Sequence, residues 1–253
     1  MVLSKSTDRH VVDKDVLPIF VMTKEDPSLP LSFEGTGFVL GNGLLVTCWH
    51  CVAATLPDDQ VYAVAFEQET GKYSMASLDD IEQDPSGVDL ATARVALRST
   101  LGLTIPDNDL AYGTDVWTFG YPLTERRPLS DGQQSFQLAG RYLQGYVMRS
   151  FYFDAPNGAR VLSYELDMPT PEGLSGAPLV RVGTKQVYGV VYGTNEVALI
   201  DQTAFVDPES GRREPEIQRL VTFGLAHYTQ SLRALCGAAT KGLPLHDFLT
   251  KAN

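Results

Sequence analysis

The feature that most constrains this chain is a series of short apolar runs separated by Gly, Pro, Asn and Asp. Such runs are typical of β-strands, because turn residues accept the backbone angles that reverse the chain. Long stretches of helical periodicity do not compete with them, so we predict an all-β fold. The predicted strands are Val16–Met22, Gly37–Leu40, Gly43–Thr47, Gln60–Glu67, Leu90–Val95, Asp115–Phe119, Phe136–Tyr142, Val161–Leu166, Ala177–Arg181, Gln186–Tyr192 and Leu220–Tyr228.

The segments between these runs give further local predictions. Leu40-Gly41-Asn42-Gly43 predicts a hairpin turn, because Asn and Gly tolerate positive φ. Two polar stretches, Leu123–Gln134 and Asp207–Glu216, predict exposed loops. The boundary between two halves of the chain is expected near Pro106–Gly113.

Helices are expected in three places, all of them short. Thr229 is predicted to cap a helix that runs through Leu232 and Leu235 and ends at Gly237. A second helix is predicted over Leu245–Lys251, and Val52-Ala53-Ala54 reads as a short helix start.

Charge and composition exclude several classes of function. The 253 residues carry a net charge of −11, which repels phosphate backbones and anionic lipid, so we expect neither nucleic acid nor membrane partners. No apolar run is long enough to span a bilayer, and the first twenty residues are too charged for a secretory signal. The odd set of cysteines, Cys48, Cys51 and Cys236, fits a reducing compartment, so we expect a cytoplasmic protein.

The motif with the clearest chemical content runs from Pro171 to Leu179 and contains Ser175 between small residues. Gly173 lets the backbone curl, so that the amides of Gly173 and Ser175 can converge on one point and form an oxyanion hole. Gly176 lets another backbone approach closely. The alternative is an ordinary glycine-rich turn with a solvent-exposed serine.

A serine hydroxyl needs a base, and the chain offers four histidines. His10 lies in a polar N-terminal segment, His246 lies in the predicted last helix, and His227 ends the predicted last strand as a packed or half-exposed residue. His50 differs because it follows directly on an apolar strand and is therefore positioned. By itself it also fits a core histidine whose hydrogen bonds are satisfied.

A third residue has to fix the imidazole tautomer. Asp89 is a single acid at the start of an apolar strand, where a carboxylate needs a hydrogen-bond partner. Its rivals, Asp79, Asp80 and Asp84, are expected in a polar loop. The alternative for Asp89 is a turn residue that only begins the strand.

Four motifs occur in order along the chain, and together they resemble the trypsin-like serine peptidases. They are Gly35-Thr36-Gly37-Phe38, Thr47-Cys48-Trp49-His50-Cys51-Val52, Asp89-Leu90-Ala91 and Gly173-Leu174-Ser175-Gly176-Ala177-Pro178. The resemblance covers residues 16 to 240 and implies two six-stranded antiparallel β-barrels followed by a short C-terminal helix.

The resemblance also implies how the domain is divided and how it works. One protease unit would span 1–253, with a first barrel over 16–106, a second over 113–228 and a helical segment over 229–253. His50 and Asp89 would come from the first barrel and Ser175 from the second, and the three would hydrolyse peptide bonds through an acyl-enzyme. No metal and no organic cofactor is implied, and the expected partner is a protein or peptide substrate.

The substrate pocket implied by the resemblance has three walls, Met168–Glu172, Tyr192–Thr194 and Val221–Ala226. Its expected contact residues are Pro169, Thr170, Glu172, Tyr192, Gly193, Thr194 and Gly224. The expected floor carries no acid, so the pocket predicts small or apolar side chains rather than Arg or Lys.

Several residues differ from those of the animal digestive enzymes among the trypsin-like serine peptidases, and some of them are more similar to another branch of these peptidases. Leu174 stands where those enzymes have the acid that pairs with a cut N-terminus, so activation by that route is not expected. Asp167 and Gly120-Tyr121-Pro122 are similar to segments of bacterial Deg-type proteases, although no PDZ domain is expected after residue 240. Cys51 occupies a half-cystine position of secreted relatives, but Gly35 stands at its partner position, in agreement with a reduced chain.

Several alternatives remain open at this point. Cys48-Trp49-His50-Cys51 has the form Cys-x-x-Cys, but no second pair completes a zinc site, and two buried thiols beside a histidine explain it as well. The chain could be a protease-fold binding module with little turnover, or an esterase that uses the same triad. We also predict a resting state whose oxyanion hole is incomplete at Gly173 until substrate or an activating partner protein orders Met168–Glu172.

Overall fold

The computed structural model describes residues 14–26, 30–41, 43–69, 72–122, 124–128, 134–154, 160–199, 205–206, 209–211, 213–214 and 219–251. His10, Asn42 of the predicted hairpin turn and parts of the two predicted polar loops lie outside these residues. Gly41 and Gly43, on either side of Asn42, have φ of 54° and 76°.

The first six strands form one closed antiparallel barrel. They are β1 (Val16–Thr23), β2 (Pro30–Leu40), β3 (Leu44–Thr47), β4 (Gln60–Glu69), β5 (Lys72–Gln83) and β6 (Ala91–Val95). Their order around the barrel is β1-β2-β3-β6-β5-β4, and β1 pairs with β4 to close it. β3 is buried along its whole length, which explains why its sequence is a continuous apolar run rather than an alternating one.

The remaining strands build a second barrel and two small hairpins. They are β7 (Asp115–Gly120), β8 (Glu125–Pro128), β9 (Gln134–Gln137), β10 (Arg141–Asp154), β11 (Arg160–Leu166), β12 (Pro178–Arg181), β13 (Val187–Leu199), β14 (Phe205–Val206), β15 (Arg213–Glu214) and β16 (Arg219–His227). The second barrel has the order β10-β11-β16-β13-β12-β7, while β8 pairs with β9 and β14 with β15. The predicted pair of six-stranded antiparallel barrels is therefore confirmed.

The helices are short, and two of them follow the second barrel. They are α1 (Thr229–Ala234) and α2 (Leu245–Lys251), and single 3₁₀ turns cover Trp49–Cys51 and Ala238–Thr240. Among the described residues, every helix is too short or too polar to span a lipid bilayer. The predicted capping role of Thr229 is wrong, because Tyr228 precedes the helix and the Thr229 hydroxyl instead bonds the Tyr164 hydroxyl at 2.8 Å. The helix start expected at Val52-Ala53-Ala54 is also wrong, since the 3₁₀ turn lies before it.

Three stretches of sequence were misread, and β5 and β10, which lie in two of them, are half exposed. Asp79 and Asp80 lie on β5 rather than in a loop, and Asp84 follows directly after that strand. The predicted strand Phe136–Tyr142 is in fact the end of β9, an irregular segment and the start of β10. β8 lies within the stretch 123–134 that was predicted as a loop. Strands with water on one side or both carry polar residues, so apolar runs do not reveal them.

Candidate active site

His50 is placed by the end of a buried strand. β3 ends at Thr47, and the chain then makes the 3₁₀ turn Trp49–Cys51, which carries His50 at its middle. Cys48 and Cys51 on either side are 0% and 1% exposed, whereas the His50 side chain is 47% exposed. Two buried anchors therefore hold one accessible imidazole.

Asp89 reaches the same histidine from the connection between β5 and β6. Its carboxylate accepts a hydrogen bond from the backbone amide of His50 at 2.9 Å and lies 2.6 Å from the ring atom Nδ1. The next residue, Leu90, is fully buried and fixes the start of β6. One carboxylate thus orients both the backbone and the ring of His50 through Nδ1, so Nε2 is the nitrogen that can exchange a proton with a nucleophile.

The two groups shift each other's proton affinity in opposite directions. Burial acts to lower the pKa of His50, but hydrogen bonds to Asp89 and Cys51 and the charge of Asp89 outweigh it, and the pKa is raised. Burial acts to raise the pKa of Asp89, and the hydrogen bonds and positive charge of His50 outweigh it, so that pKa is lowered. The pair therefore favours carboxylate and imidazolium, which stabilises the ring after it has accepted a proton, and His50 can act as a base only at a pH high enough to leave it neutral.

The segment around Ser175 is a tight turn that leans on the first barrel. Gly173 and Gly176 have φ of 94° and 89°, a region that favours glycine. A Cβ on Gly176 would lie 1.8 Å from the carbonyl oxygen of Thr36, and one on Gly173 would lie 2.8 Å from that of Tyr121. Both glycines are thus needed for close backbone contact as well as for their conformation.

The amides of this turn divide into two sets. Those of Leu174, Gly176 and Ala177 donate to backbone carbonyls at 3.2, 2.8 and 2.9 Å. Those of Gly173 and Ser175 donate to no group in the described part of the chain. The amides of Gly173 and of Ser175 itself are therefore two unused donors in one tight turn, as an oxyanion hole requires.

The Ser175 hydroxyl points to the second barrel rather than to the histidine. It donates to the Tyr192 carbonyl at 3.3 Å, and no hydrogen bond joins it to His50 between these described residues. The Ser175 carbonyl, by contrast, is held by the first barrel, through the Thr36 amide at 2.8 Å and the Cys51 thiol at 3.5 Å. The serine backbone is fixed, while its hydroxyl has to rotate to meet His50.

Thr36 has a structural role that the sequence did not reveal. It is fully buried; its hydroxyl donates to the Gly173 carbonyl at 2.7 Å and accepts from the Tyr121 amide at 3.3 Å. Its own carbonyl accepts from the Thr47 hydroxyl at 2.7 Å. The motif Gly35-Thr36-Gly37-Phe38 marks this segment as important, but it does not show that Thr36 contacts Gly173 and Tyr121, which lie far along the chain.

The residues predicted for the substrate pocket come together in part. The Thr170 hydroxyl donates to the Gly193 carbonyl and ties two predicted walls together. Gly224 pairs with Thr194, and a Cβ on it would lie 2.6 Å from Cγ2 of Thr170 and 2.7 Å from the Met168 carbonyl. The three walls therefore meet around the buried side chain of Thr170.

Other predicted contact residues lie at the edges of this pocket. Tyr192 is half-buried, and its backbone carbonyl accepts a hydrogen bond from the Ser175 hydroxyl. Pro169 is exposed. Glu172 is exposed and lines a cavity of 180 Å³ together with Phe33, Glu34, Thr124 and Gly173.

The remaining described histidines do not share the environment of His50. His246 lies 3.3 Å from Asp107 on the surface of α2. His227 is 1% exposed, its ring lies 4.4 Å from that of Tyr192, and burial lowers its pKa to about 4. The expectation of a packed strand residue fits His227, although its complete burial was not expected.

Asp167, which the sequence singled out, fixes one wall of the pocket. Its carboxylate accepts from the Tyr146 amide at 2.7 Å, and a Cβ on Gly145 would lie 2.2 Å from it. The loop that leads to Ser175 is thereby fastened to β10.

Comparison with known proteins gives a family match. The model of the trypsin-like peptidase domain matches residues 35–190, which is more than half of the chain and includes His50, Asp89 and Ser175. No curated protein matches the sequence.

Solved structures match over most of the chain. The active form of the Rv3671c protease from M. tuberculosis is 19% identical with a TM-score of 0.58, and the match covers 92% of this chain and 90% of that one. Deg5 is 20% identical with a TM-score of 0.53, covering 76% and 87%. The HtrA-type protease AlgW, solved with a decapeptide, is 18% identical with a TM-score of 0.54, covering 90% and 67%. At these identities the likeness is one of fold.

Proposed function

Since this chain belongs to the trypsin-like peptidase family, we propose that it is a serine endopeptidase in which Ser175, His50 and Asp89 form the catalytic triad. The match to the family model confirms the likeness that the four motifs predicted. The observation that best supports the triad is the carboxylate of Asp89, which engages both the amide and the ring of His50. An imidazole held in this way has one free nitrogen and a stabilised protonated form.

The first half of the proposed reaction forms an acyl-enzyme. The Ser175 hydroxyl turns from the Tyr192 carbonyl to His50, gives its proton to Nε2 and attacks the substrate carbonyl carbon. The unused amides of Gly173 and Ser175 then donate to the oxyanion. His50 passes its proton to the leaving amine as the C–N bond breaks.

The second half returns the enzyme to its starting state. A water molecule gives a proton to His50 and attacks the acyl carbon, and the same two amides hold the second oxyanion. When the bond to the Ser175 oxygen breaks, that oxygen recovers its proton from His50. Asp89 stabilises the imidazolium in both halves and stays ionised, in agreement with its lowered pKa.

The substrate is proposed to be a peptide or protein with a small side chain before the cleaved bond. Thr170 occupies the space where the three walls meet, and its hydroxyl is committed to the Gly193 carbonyl. No acid lies at position 169 or 170 to pair with Arg or Lys. AlgW, which shares the fold, was solved with a decapeptide, and we extend peptide binding to this chain.

Activation is proposed to require a change at the nucleophile rather than at the base. The contact between the Ser175 hydroxyl and the Tyr192 carbonyl favours a resting state in which the hydroxyl is not yet paired with His50. Substrate or an activating partner protein would shift this equilibrium by binding the paired state more tightly. The fraction of chains that react with an active-site probe, with and without peptide, measures that equilibrium.

The compartment is proposed to be reducing, as in the cytoplasm of a bacterium. All three cysteines are free. Gly35 lies against Cys51 and carries no thiol that could pair with it. The two thiols beside His50 would then remain reduced.

The test of the proposed function is covalent labelling of Ser175 by a fluorophosphonate, together with peptide hydrolysis. Ser175→Ala should abolish labelling and lower kcat about a million-fold, because the proposed nucleophile is removed. Its thermal unfolding should match that of the wild type, since the hydroxyl makes only one long hydrogen bond.

The alternatives give different outcomes in the same experiment. A folded wild-type protein that binds peptides but resists the probe would be a binding module. Probe labelling with hydrolysis of esters but not of peptides would identify an esterase. Equal hydrolysis by Ser175→Ala and the wild type would refute the assignment of the nucleophile.

A further inference from the structure

Behind the triad lies a polar side chain that the reaction does not use. His227 comes from β16 in the second barrel and is 1% exposed. Neither of its ring nitrogens makes a well-aligned hydrogen bond in the described part of the chain, and the nearby backbone of Asp89 does not meet that geometry. Burial of a polar group without a partner is costly, and most proteins avoid it. A histidine kept in this state calls for a ligand.

Two other metal-binding side chains face the same point. The sulfur of Cys48, a carboxylate oxygen of Asp89 and a ring nitrogen of His227 all lie within 4.8 Å of one another. Cys48 is fully buried, and among the described residues its thiol donates to the Val191 carbonyl at 3.2 Å. The three residues come from different elements, so the fold rather than local sequence brings them together.

We propose that Cys48, Asp89 and His227 bind a thiophilic divalent cation of the Zn²⁺ class. Thiolate, imidazole and carboxylate are the three protein donors that zinc uses, and three of them leave one coordination position for water or another oxygen. Small side-chain rotations would bring these atoms to the ligand distances of about 2.0 to 2.3 Å that zinc requires. The Cys48 thiol gives up its proton to solvent as the metal–sulfur bond forms.

The surroundings of the three residues favour a soft cation over calcium or magnesium. Ca²⁺ and Mg²⁺ take sets of oxygen ligands, whereas this group offers sulfur, nitrogen and one carboxylate. Cys48 and His227 are closed to solvent, but the Asp89 side chain is 33% exposed. Asp89 therefore offers the route by which an ion can enter.

Binding at this site would inhibit the proposed reaction, and this second step rests on the proposed function. Both oxygens of Asp89 already accept hydrogen bonds from His50. A cation on that carboxylate competes with these two hydrogen bonds, so the His50 ring loses the partner that orients it toward Ser175. The first barrel would supply the carboxylate and the thiol, and the second barrel the histidine.

Cobalt is the probe for binding, because Co²⁺ occupies zinc sites and its thiolate complexes absorb in the near ultraviolet. We expect the reduced, chelator-treated wild-type protein to bind one Co²⁺ per chain with a thiolate band, and Zn²⁺ to displace it. Cys48→Ala and His227→Leu should lose the band and bind at least about 100-fold more weakly. Near-ultraviolet circular dichroism checks that each variant is folded, and the two variants test the site independently.

The matched control is Cys236, a thiol outside the site and away from His50. Cys236 lies near acids as well, since its amide bonds the Asp84 carboxylate at 3.3 Å. Cys236→Ser should keep the band at full strength. A folded wild-type protein without a thiolate band, a band that survives in Cys48→Ala, or a band lost in Cys236→Ser would each overturn the proposed site.

The inhibition is tested separately by probe labelling of Ser175. Saturating Zn²⁺ should slow labelling about tenfold or more in the wild type and in Cys236→Ser, but not in Cys48→Ala. Zinc binding with unchanged labelling would overturn the inhibition. A cobalt band in a protein that never labels would refute the proposed function and leave the metal site standing.

Discussion

The two barrels hold their catalytic groups in different ways. In the first barrel, His50 and Asp89 sit at the ends of short buried strands, and their hydrogen bonds are already made in the free protein. In the second barrel, Ser175 sits in a glycine turn, and its hydroxyl bonds a carbonyl of its own barrel. The acid–base half is complete at rest, whereas the nucleophile half is not.

The strands at the two sites do not differ in burial. β3 has no exposed residue, and β12, which begins just after Ser175, exposes only Arg181. The difference between the two sites therefore lies in the side-chain hydrogen bonds of the catalytic groups. We call the first barrel with His50 and Asp89 the fixed half, and the second barrel with Ser175 the adjustable half.

Removal of the carboxylate tests the fixed half and should give the largest effect. Asp89→Asn should lower kcat/KM about 10⁴-fold, because an amide holds His50 in the wrong tautomer. The pH dependence should change as well. In the wild type, activity should rise with pH through a midpoint above the ordinary histidine value of about 6.5, because the pKa of His50 is raised and the neutral base is the active form. In the variant this rise should move to lower pH.

Asp80→Asn is the matched control for this carboxylate. Asp80 pairs with Arg94 at 3.1 Å on the surface and has a φ of 50°, which asparagine also tolerates. It should keep nearly all activity and the wild-type pH profile, both measured in the presence of a chelator. An unchanged pH profile in Asp89→Asn would show that Asp89 does not set the proton affinity of the base.

Thr36 tests the junction between the two halves. Thr36→Val should remove the hydrogen bonds to the Gly173 carbonyl and the Tyr121 amide, so that the buried Gly173 carbonyl loses this donor. The free energy of unfolding should fall by about 2 kcal/mol. We expect kcat to fall about tenfold with little change in KM, since a displaced Gly173 amide loses part of its contact with the oxyanion.

Thr118→Val separates this effect from the general cost of changing a buried threonine. Thr118 is fully buried on β7, but its hydroxyl has no partner in the described part of the chain. Its replacement by valine should be neutral or stabilising, because it removes an unsatisfied polar atom. Equal kcat for Thr36→Val and the wild type would mean that the first barrel does not position the oxyanion turn.

Much of the fold, and the order of the site residues, could be read from the sequence because it depends on local signals. Strands with buried faces produce apolar runs, and glycines at positive φ mark the turn around Ser175. The half-exposed strands β5 and β10 were missed for the opposite reason, since their polar residues hide the alternation. Whether a strand is buried or half-exposed therefore decided whether it could be predicted from the sequence.

Contacts between distant segments could not be read in this way. The bond between the Thr36 hydroxyl and the Gly173 carbonyl joins residues 137 positions apart, and no local pattern records it. The same holds for His227, which was expected on a strand but whose position beside Cys48 depends on how the two barrels meet. Site residues can be named from motifs, whereas their supporting residues emerge only from the packed structure.

Thr170 tests the adjustable half and should give the smallest effect on rate. Thr170→Ala should open the space between the pocket walls, because it removes the side chain that contacts the Gly193 carbonyl and lies near Gly224. We expect the kcat/KM ratio for Leu over Ala before the cleaved bond to rise about tenfold, the value of one or two methylene groups in an apolar pocket. Thr170→Val keeps the volume but not the hydrogen bond, so it should retain the preference for small side chains. An unchanged Leu-to-Ala ratio in Thr170→Ala, with cleavage intact, would place the specificity of the second barrel elsewhere, because the bulk of residue 170 would then not limit the pocket.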